Sequence, residues 1–279
     1  MLTSFHNKAL NVDLDERSRY LRTIAIKTLE SGKRAHLGSA MSIMEIVRVL
    51  YDDILNVDPK NFDDLNRDRF ILSKGHGCLA LYVMLAEKNF FSESELLKFC
   101  HFNSILGGHP EYKIIPGVEA STGALGHGLP IGVGMALASK IQKRKNSIYV
   151  LVGDGEMNEG SIWESALSAS KNKLDNLNLI IDYNKIQSYG FLNQVVDIEP
   201  LKSKLESFGF FVSEVNGHDV DKIKSKLNYE LKENNQPKAI ICHTIKGKGI
   251  KFAENNPKWH HKSQLTKEEI KEMYDSVNL

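Results

Sequence analysis

The sequence predicts an α/β fold in which a parallel sheet is covered by helices on both faces, giving three layers. Short apolar runs rich in β-branched residues recur in the second half of the chain, as expected of buried parallel strands. Stretches of helical length separate them, and strands that alternate with helices indicate βαβ units. The predicted strands are 148–152, 177–181, 210–215 and 238–242.

Helices are predicted where apolar residues recur at helical spacing, as Leu21, Ile24 and Leu29 do within residues 14–30. Capping-box patterns at Ser92 and Thr266 indicate two further helix starts. A short apolar run at 69–72 precedes a glycine-containing turn. The predicted helices are 14–30, 42–55, 78–86, 161–173, 199–208 and 220–233.

Residues 104–128 are rich in glycine and contain two prolines, together with His109 and His127. Long glycine-rich loops inside compact domains are usually functional, so we predict a structured loop of functional importance there. The sequence has no internal repeat and no low-complexity linker. A single domain over residues 1–279 is the expected organisation, since α/β domains can run to about 200–250 residues.

The composition is that of a globular protein able to bury a full core, with 42% hydrophobic and 25% charged residues among 279. The 36 Lys and Arg residues nearly balance the 35 Asp and Glu residues, for a formal net charge of +1. A balanced chain has no global field that favours nucleic acid or an anionic membrane. Any anion site must therefore be local.

Cysteine usage and the chain start predict a cytoplasmic protein. Cys78, Cys100 and Cys242 are odd in number and far apart, and none forms a Cys-x-x-Cys pair. Residues 1–10 mix apolar and polar side chains and lack an apolar signal core. No segment approaches the roughly 20 apolar residues that span a bilayer, so neither secretion nor membrane insertion is expected.

The sharpest local feature is Gly153-Asp154-Gly155, which follows a predicted strand and precedes a predicted helix. Ligands bind at this carboxyl edge of an open parallel sheet. The glycines allow close backbone approach, and the following helix offers free N–H groups to an anion. A carboxylate beside an anion site repels the ligand unless a cation lies between them, so Asp154 implies a hard divalent metal.

A second oxygen donor, Asn184, follows the next predicted strand, one helix and one strand after Asp154. Neighbouring parallel strands would bring the two ends together. Asn184 could supply a side-chain oxygen and Ile186 a backbone carbonyl, leaving the other positions of an octahedral Mg²⁺ for phosphate and water. The alternative is that Gly-Asp-Gly is only a turn and Asn184 a cap, which the strand context makes less favoured.

Together with this metal motif, a series of sequence words in fixed order resembles the transketolase family, specifically its separately encoded N-terminal subunit, over nearly the whole chain. Gly153-Asp154-Gly155 followed by Asn184 looks like the thiamine diphosphate signature. The other words are Ala35-His36-Leu37-Gly38, Asn66 through Gly77, Gly108-His109-Pro110-Glu111, Ser121 through Gly128, Asp182 through Gln187, Thr244 through Gly249, and Lys258-Trp259-His260.

The resemblance implies a role for each matching position. Asp154, Asn184 and the Ile186 carbonyl would hold Mg²⁺, and Glu159 matches a glutamate that communicates between active sites across the dimer. The positions implied to contact thiamine diphosphate are His76, Gly123, Leu125, Gly153, Asp154, Gly155, Glu156, Asn184 and Ile186. The positions that match the family's catalytic histidines are His36, His76, His109 and His260. Histidine suits this role because neutral imidazoles can exchange protons near pH 7, as ketol transfer requires.

Some departures from the family pattern leave alternatives open. His261 follows His260 where relatives usually have Gly, so either one could face the site. Lys33 and Arg34 could contact substrate phosphate or form a solvated face, and the solvated face is the favoured interpretation. Lys246 and Lys248 could contact a phosphate or only solvate a loop. Five further histidines are interpreted as surface or structural residues, with His127 at a position where relatives commonly have Gln; they are His101, His127, His218, His243 and His261.

Family relatives need a glutamate from a second, pyrimidine-binding domain, for which this chain has no remaining length. The resemblance therefore implies a C-terminal partner subunit and a dimer of heterodimers. The expected reaction is transfer of a two-carbon ketol unit from a ketose, expected to be phosphorylated, to an aldose. The alternatives are another thiamine diphosphate enzyme, such as a relative of 1-deoxyxylulose-5-phosphate synthase or a specialised sugar-biosynthesis transketolase, and a non-catalytic homologue.

Overall fold

The structure is a computed structural model that describes residues 4–33, 36–188, 190–230, 235–259 and 265–278. Within these ranges, no helix combines the length and apolar character needed to cross a bilayer. The α-helices are α1 (Ser4–Leu10), α2 (Glu16–Gly32), α3 (Leu37–Met41), α4 (Met44–Val49), α5 (Cys78–Glu87), α6 (Gly128–Ile141), α7 (Gly160–Lys171), α8 (Leu192–Val195), α9 (Leu201–Ser207), α10 (Val220–Glu230) and α11 (Lys267–Val277).

The strands form a five-stranded sheet and a separate two-stranded hairpin in the described part of the chain. In the larger sheet the order is β1-β2-β3-β7-β6 and every pairing is parallel. The hairpin of β4 and β5 is antiparallel. The strands are β1 (Arg69–Leu72), β2 (Ile148–Gly153), β3 (Leu177–Tyr183), β4 (Ile186–Gln187), β5 (Gly190–Phe191), β6 (Phe211–Asn216) and β7 (Lys238–His243).

Apolar side chains leave both faces of this sheet, which explains the three-layer arrangement. On β2, Tyr149 and Leu151 belong to one hydrophobic cluster, with side chains from α2, α3, α4, α5, α10 and α11. Val150 and Val152 belong to the other, with side chains from α6, α7 and α9. The predicted parallel sheet with helices on both faces is confirmed.

The predicted strands agree with the observed ones to within two residues, and the Thr266 capping box is present at the start of α11. The helix predicted over 42–55 is instead interrupted. Ser42 ends α3, α4 begins at Met44, and Leu50–Ile54 forms a π-helical turn. The Ser42 hydroxyl donates to the Asp182 carboxylate at 2.8 Å, so this position is held by a tertiary contact. At Ser92 the hydroxyl caps a 3-10 helix, Glu93–Lys98.

The glycine-rich stretch before α6 contains no regular helix or strand over residues 104–127, as predicted for a structured loop. It is fastened to the rest of the molecule by hydrogen bonds. Thr122 donates to the Leu72 carbonyl at 2.7 Å, at the end of β1, and Tyr82 donates to the Gly107 carbonyl at 3.1 Å. These bonds bring the loop over the carboxyl edge of the sheet.

Candidate functional site

A cavity of about 450 Å³ lies where the loops after β1, β2, β3 and β7 meet the glycine-rich loop. Every described member of the predicted site lines it, whereas His260 lies outside the described residues. The predicted residues on its walls are His36, His76, His109, Gly123, Leu125, Gly153, Asp154, Gly155, Glu156, Glu159, Asn184 and Ile186. Because these residues span the sequence from 36 to 186, only the fold brings them together.

Asp154 follows β2 and is buried at the edge of the sheet. Its carboxylate accepts hydrogen bonds from the Gly155 N–H at 2.8 Å and from the Lys185 N–H in the loop after β3. Gly153 pairs with Asp182 on β3, which confirms that the ends of neighbouring strands meet here. Burial and the nearby Asp182 carboxylate raise the pKa of Asp154 to about 6.

Asn184 and Ile186 stand beside Asp154 as two further oxygen donors. The Asn184 Oδ1 accepts the Ile186 N–H at 3.1 Å, and its Nδ2 donates to Asp182 at 2.9 Å. The Ile186 carbonyl accepts a hydrogen bond from the Lys246 ammonium at 2.8 Å. Burial and the neighbouring Lys74 lower the pKa of Lys246.

The Lys74–Asp182 ion pair lies below this group and is almost fully buried, with 2.5 Å between Nζ and Oδ2. Burial by itself raises the pKa of Asp182, but the Lys74 ammonium and the hydroxyls of Thr244 and Ser42 more than offset it. The pKa is therefore below its usual value. Lys74 itself lines the cavity.

Glu156 lines the cavity, but its carboxylate is occupied within the protein. It accepts hydrogen bonds from the Ser73 hydroxyl, from the Gly126 N–H at 2.9 Å and from the Gly153 N–H at 3.2 Å. Burial raises its pKa. Glu156 therefore joins the loop after β1, the metal-motif loop and the glycine-rich loop.

Three of the predicted histidines form a group on the cavity wall. The His36 ring lies 5.5 Å from that of His76 and 6.0 Å from that of His109, measured between centroids. Burial lowers the pKa of His109, so its imidazole is neutral at pH 7. A neutral imidazole has one nitrogen that donates and one that accepts a hydrogen bond, so it can exchange a proton with a hydroxyl group.

Gly123 has a φ of +135°, in the region that side-chain-bearing residues rarely adopt, and a Cβ there would lie 2.7 Å from the His109 ring. At Gly155 a Cβ would lie 3.0 Å from the Gln187 Cβ. The absence of a side chain at these glycines therefore allows His109 and Gln187 to pack closely against the backbone of the cavity wall.

The two lysines that the sequence left undecided have different positions. Lys246 lines the cavity, whereas Lys248 donates to the Leu10 carbonyl at 2.9 Å and lies 3.8 Å from Glu254. Lys33 is exposed at the end of α2, as expected of a solvated face, and Arg34 lies outside the described residues.

The histidines interpreted as structural or surface residues are absent from the cavity wall within the described part of the chain. His218 contacts Glu45 at 2.7 Å and His243 contacts Glu214 at 2.9 Å, both in the interior. His101 contacts the Ser31 carbonyl and His127 the Leu125 carbonyl, both at exposed positions. His261 lies outside the described residues.

Cavity residues to which the sequence assigned no role are Lys74, Asn158, Gln187 and Ser188. Lys74, like Asp182 beneath the cavity, is a charged residue directly at the end of an apolar strand run. This position in the sequence could have identified both residues as candidates, because charged residues buried at the ends of parallel strands often belong to functional sites.

Residues 15–278 match the family profile described as the transketolase thiamine diphosphate-binding domain. This chain belongs to the transketolase family. The prediction of the family's N-terminal, diphosphate-binding part is thereby confirmed, and the transketolase-type transferase class with it.

Two transketolase relatives match along almost their entire length. An apulose-4-phosphate transketolase subunit of Actinobacillus succinogenes is 42% identical over 267 residues, which cover 93% of this chain and 96% of that protein. The 6-deoxy-6-sulfo-D-fructose transketolase subunit SqwG of a Clostridium species is 36% identical over 257 residues, covering 92% and 93%.

Longer transketolases match only in part. Human transketolase is 34% identical over 268 residues, covering 95% of this chain and 42% of that protein. The structure of transketolase from Campylobacter jejuni aligns with a TM-score of 0.87 at 31% identity, covering 100% of this chain and 43% of that one. The chain thus spans less than half the length of these proteins, and its fold is the thiamine diphosphate-binding fold of the family.

Proposed function

We propose that this chain is the N-terminal subunit of a split transketolase that transfers a two-carbon ketol unit from a ketose phosphate to an aldose, with thiamine diphosphate and Mg²⁺. The observation that carries the proposal is one cavity lined by two kinds of residue. Asp154, Asn184 and Ile186 contribute oxygen donors to its lining, and His36, His76 and His109 contribute imidazoles.

The donor set fits Mg²⁺. Magnesium prefers oxygen ligands and usually takes one or two carboxylates together with substrate phosphates and water. Asp154 provides the carboxylate, and Asn184 and Ile186 provide neutral oxygens. Within the described ranges no group of three or more His, Cys, Asp or Glu residues could hold a metal. A site with one carboxylate and two neutral oxygens would be completed by phosphate oxygens and water.

The cavity also fits a diphosphate. Gly123, Gly153 and Gly155 line the cavity without a side chain, so a ligand can approach their backbone, and Leu125 lines it as well. His76 and Lys246 supply donors or positive charge on the adjoining walls. Glu156 contributes by holding these loops together, since its carboxylate is already bonded to Gly126 and Gly153.

The histidines are proposed to handle the substrate. Thiamine diphosphate supplies the carbon nucleophile and the electron sink that ketol transfer requires. His36 and His109 lie close enough to contact neighbouring hydroxyls of one sugar, and a neutral His109 can accept and return a hydroxyl proton. His76 lies beside His36, with 5.5 Å between the ring centroids. His260 is proposed as a fourth member.

A second chain is proposed to supply the pyrimidine-binding domain, the glutamate that protonates the aminopyrimidine ring and the grip on the substrate phosphate. The support is that a relative covered over 96% of its length is itself named as one subunit of a transketolase. We propose a dimer of heterodimers, in which Glu159 on the cavity wall communicates between sites. A cytoplasmic location is proposed because Cys78, Cys100 and Cys242 are all free thiols.

The proposal does not specify which ketose is the donor and which aldose is the acceptor. The relatives are named for apulose 4-phosphate and for 6-deoxy-6-sulfo-D-fructose, so a specialised donor is the second candidate beside xylulose 5-phosphate. Product analysis of the assembled enzyme with these three donors, and with pyruvate, would separate these alternatives. Turnover with pyruvate would instead indicate a relative of 1-deoxyxylulose-5-phosphate synthase.

The proposal is tested by native mass spectrometry of the tagged chain, purified gently from its own cells with Mg²⁺ present. We expect a complex with a second chain that carries bound thiamine diphosphate. Recovery of the chain alone and without cofactor, even after thiamine diphosphate is added, would contradict the proposal. A complex that binds the cofactor but converts no donor would instead support a non-catalytic homologue.

A further inference from the structure

Asp182 is a buried carboxylate with no role in the proposed chemistry, yet it touches much of what surrounds the cavity. It lies near the end of β3, two residues before Asn184, and is fully buried. Its Oδ2 accepts from Lys74 at 2.5 Å, from Ser42 at 2.8 Å and from Asn184 at 2.9 Å. Its Oδ1 accepts from the Thr244 hydroxyl.

The contact with Asn184 determines which way that amide faces. An ionised carboxylate can only accept hydrogen bonds, so Asn184 must turn its NH₂ group toward Asp182. Its oxygen is then directed away from Asp182, where it accepts the Ile186 N–H at 3.1 Å. The amide is thereby held from both ends, with a single orientation that satisfies both partners.

The Lys74 ammonium explains how a carboxylate so near the proposed metal can act without becoming a ligand itself. Lys74 Nζ lies 2.5 Å from Oδ2, and both side chains are at most 1% exposed. A buried carboxylate that is paired with an ammonium and accepts four hydrogen bonds has its charge already balanced within the protein. Of these two carboxylates, only Asp154 therefore serves as an anionic ligand of the proposed Mg²⁺ site.

We propose that Asp182 is a positioning residue that fixes the Asn184 amide with its oxygen toward the Mg²⁺ site. This inference rests on the proposed function, because it concerns the metal that the cofactor requires. Hydrogen-bond partners behind metal ligands generally have this effect, and their loss typically costs about 10–100-fold in metal affinity.

The main test is the variant Asp182→Asn in the complete enzyme with its partner subunit. An asparagine at 182 can donate as well as accept, so Asn184 can turn either end toward it and presents NH₂ to the metal in part of the molecules. We expect the Kd for Mg²⁺, measured by calorimetry at saturating thiamine diphosphate, to rise at least about tenfold. An unchanged Kd for Mg²⁺ would overturn the proposal.

Two controls separate orientation from other effects. Ser42→Ala removes a hydrogen bond to the same Asp182 oxygen but keeps the Asn184 contact, so the Kd for Mg²⁺ should stay within about twofold of wild type. In a double-mutant cycle, Asp182→Asn should have no further effect on that Kd in an Asn184→Ala background. A persisting effect would mean that Asp182 acts through its charge and would overturn the proposal.

The stability of Asp182→Asn and wild type is compared by thermal unfolding in EDTA, so that bound metal does not contribute, and assembly with the partner subunit is checked at the same time. If Asp182→Asn does not assemble, the crystal structure of the Mg²⁺-loaded wild-type enzyme decides. We expect the Asn184 oxygen on the metal and its nitrogen on Asp182, whereas loss of the Asp182–Asn184 contact on metal binding would overturn the proposal. A wild-type complex that binds no Mg²⁺ would contradict the proposed function instead.

Discussion

Lys246 places its ammonium against the Ile186 carbonyl, the neutral backbone oxygen of the proposed metal site. The nearest charges are Asp154 and Asp182, which favour the ammonium, and Lys74, which opposes it. Lys74 already pairs with Asp182. Lys246, whose pKa is lowered by burial and by this second lysine, therefore balances the remaining Asp154 carboxylate only in part.

Asp154→Ala should abolish Mg²⁺-dependent binding of thiamine diphosphate, because it deletes the one anionic ligand of the proposed site. Calorimetric titration of the cofactor with and without Mg²⁺ measures the effect. Asp221 provides a matched control, since Asp221→Ala removes an exposed carboxylate on α10 that does not line the cavity. Unchanged cofactor affinity in Asp154→Ala would refute the assignment.

His109→Ala should lower kcat by about 10²–10⁴-fold while leaving cofactor affinity nearly unchanged, because a proton-transfer group contributes mainly to the chemical step. Steady-state kinetics and cofactor titration on the same preparation separate the two quantities. His127→Ala removes an exposed histidine near the same loop and should leave both unchanged. A large loss of cofactor binding in His109→Ala would reassign this residue to the diphosphate.

A buried polar network connects the helices on one face of the sheet to the segment that carries Lys246. Arg22 on α2 pairs with Glu45 on α4 through two hydrogen bonds, of 2.5 and 3.0 Å. His218 contacts Glu45 at 2.7 Å, and its Nε2 accepts the Ile245 N–H at 2.8 Å. The acceptor role of Nε2 means that the proton of the neutral ring is on Nδ1, directed at Glu45.

Glu45→Gln should reduce the free energy of unfolding by about 3–5 kcal/mol, because it leaves the buried Arg22 without its countercharge. Urea denaturation followed by circular dichroism measures the change. Lys222→Ala is the control, since it breaks a largely exposed ion pair with Asp219 and should have no measurable effect. A loss as small in Glu45→Gln as in this control would show that the network is not structurally important.

The structure could be predicted from the sequence where a local pattern of residues determines it. The strands were predictable because runs such as 148–152 are apolar and β-branched throughout, and Asp154 and Asn184 could be paired because one helix and one strand separate them. Helix α6 was missed because its glycines and Pro130 are poor helix formers. Packing explains part of this composition, since a Cβ at Gly132 would lie 2.4 Å from Val150.

The side-chain contacts that organise the site could not be predicted from the sequence. Lys74 and Asp182 are 108 positions apart, and Ser42 and Asp182 are 140 apart. No periodicity or spacing connects residues at such separations, because their proximity depends on the order of strands in the sheet. The same holds for Glu156, whose hydrogen bonds to Ser73, Gly126 and Gly153 no sequence spacing indicates.

At the scale of the whole molecule, several buried histidines are held neutral. Burial, with the positive charge of Lys185, lowers the pKa of His6 from 6.5 to about 4, and burial also lowers the pKa values of His218 and His243. The unfolded chain then binds more protons than the folded one between pH 4 and 6.5. Stability should therefore fall as the pH decreases through this window.

This pH dependence is measured as the free energy of unfolding in urea at about pH 7, 6 and 5. We expect a decrease toward the lowest pH that is smaller in His6→Asn, whereas His127→Asn should follow wild type because His127 is exposed. The comparison between variants cancels the contribution of Asp154, whose raised pKa has the opposite sign. An identical pH slope in His6→Asn and wild type would contradict the assignment.

The carboxylate of Glu156 ties three loops to one point through Ser73, Gly126 and Gly153. Together these loops make much of the cavity wall, so outward movement of one loop alone breaks a hydrogen bond to a buried carboxylate. We therefore expect this part of the wall to move as a unit. A cofactor held against it would dissociate more slowly than one held by three independent loops.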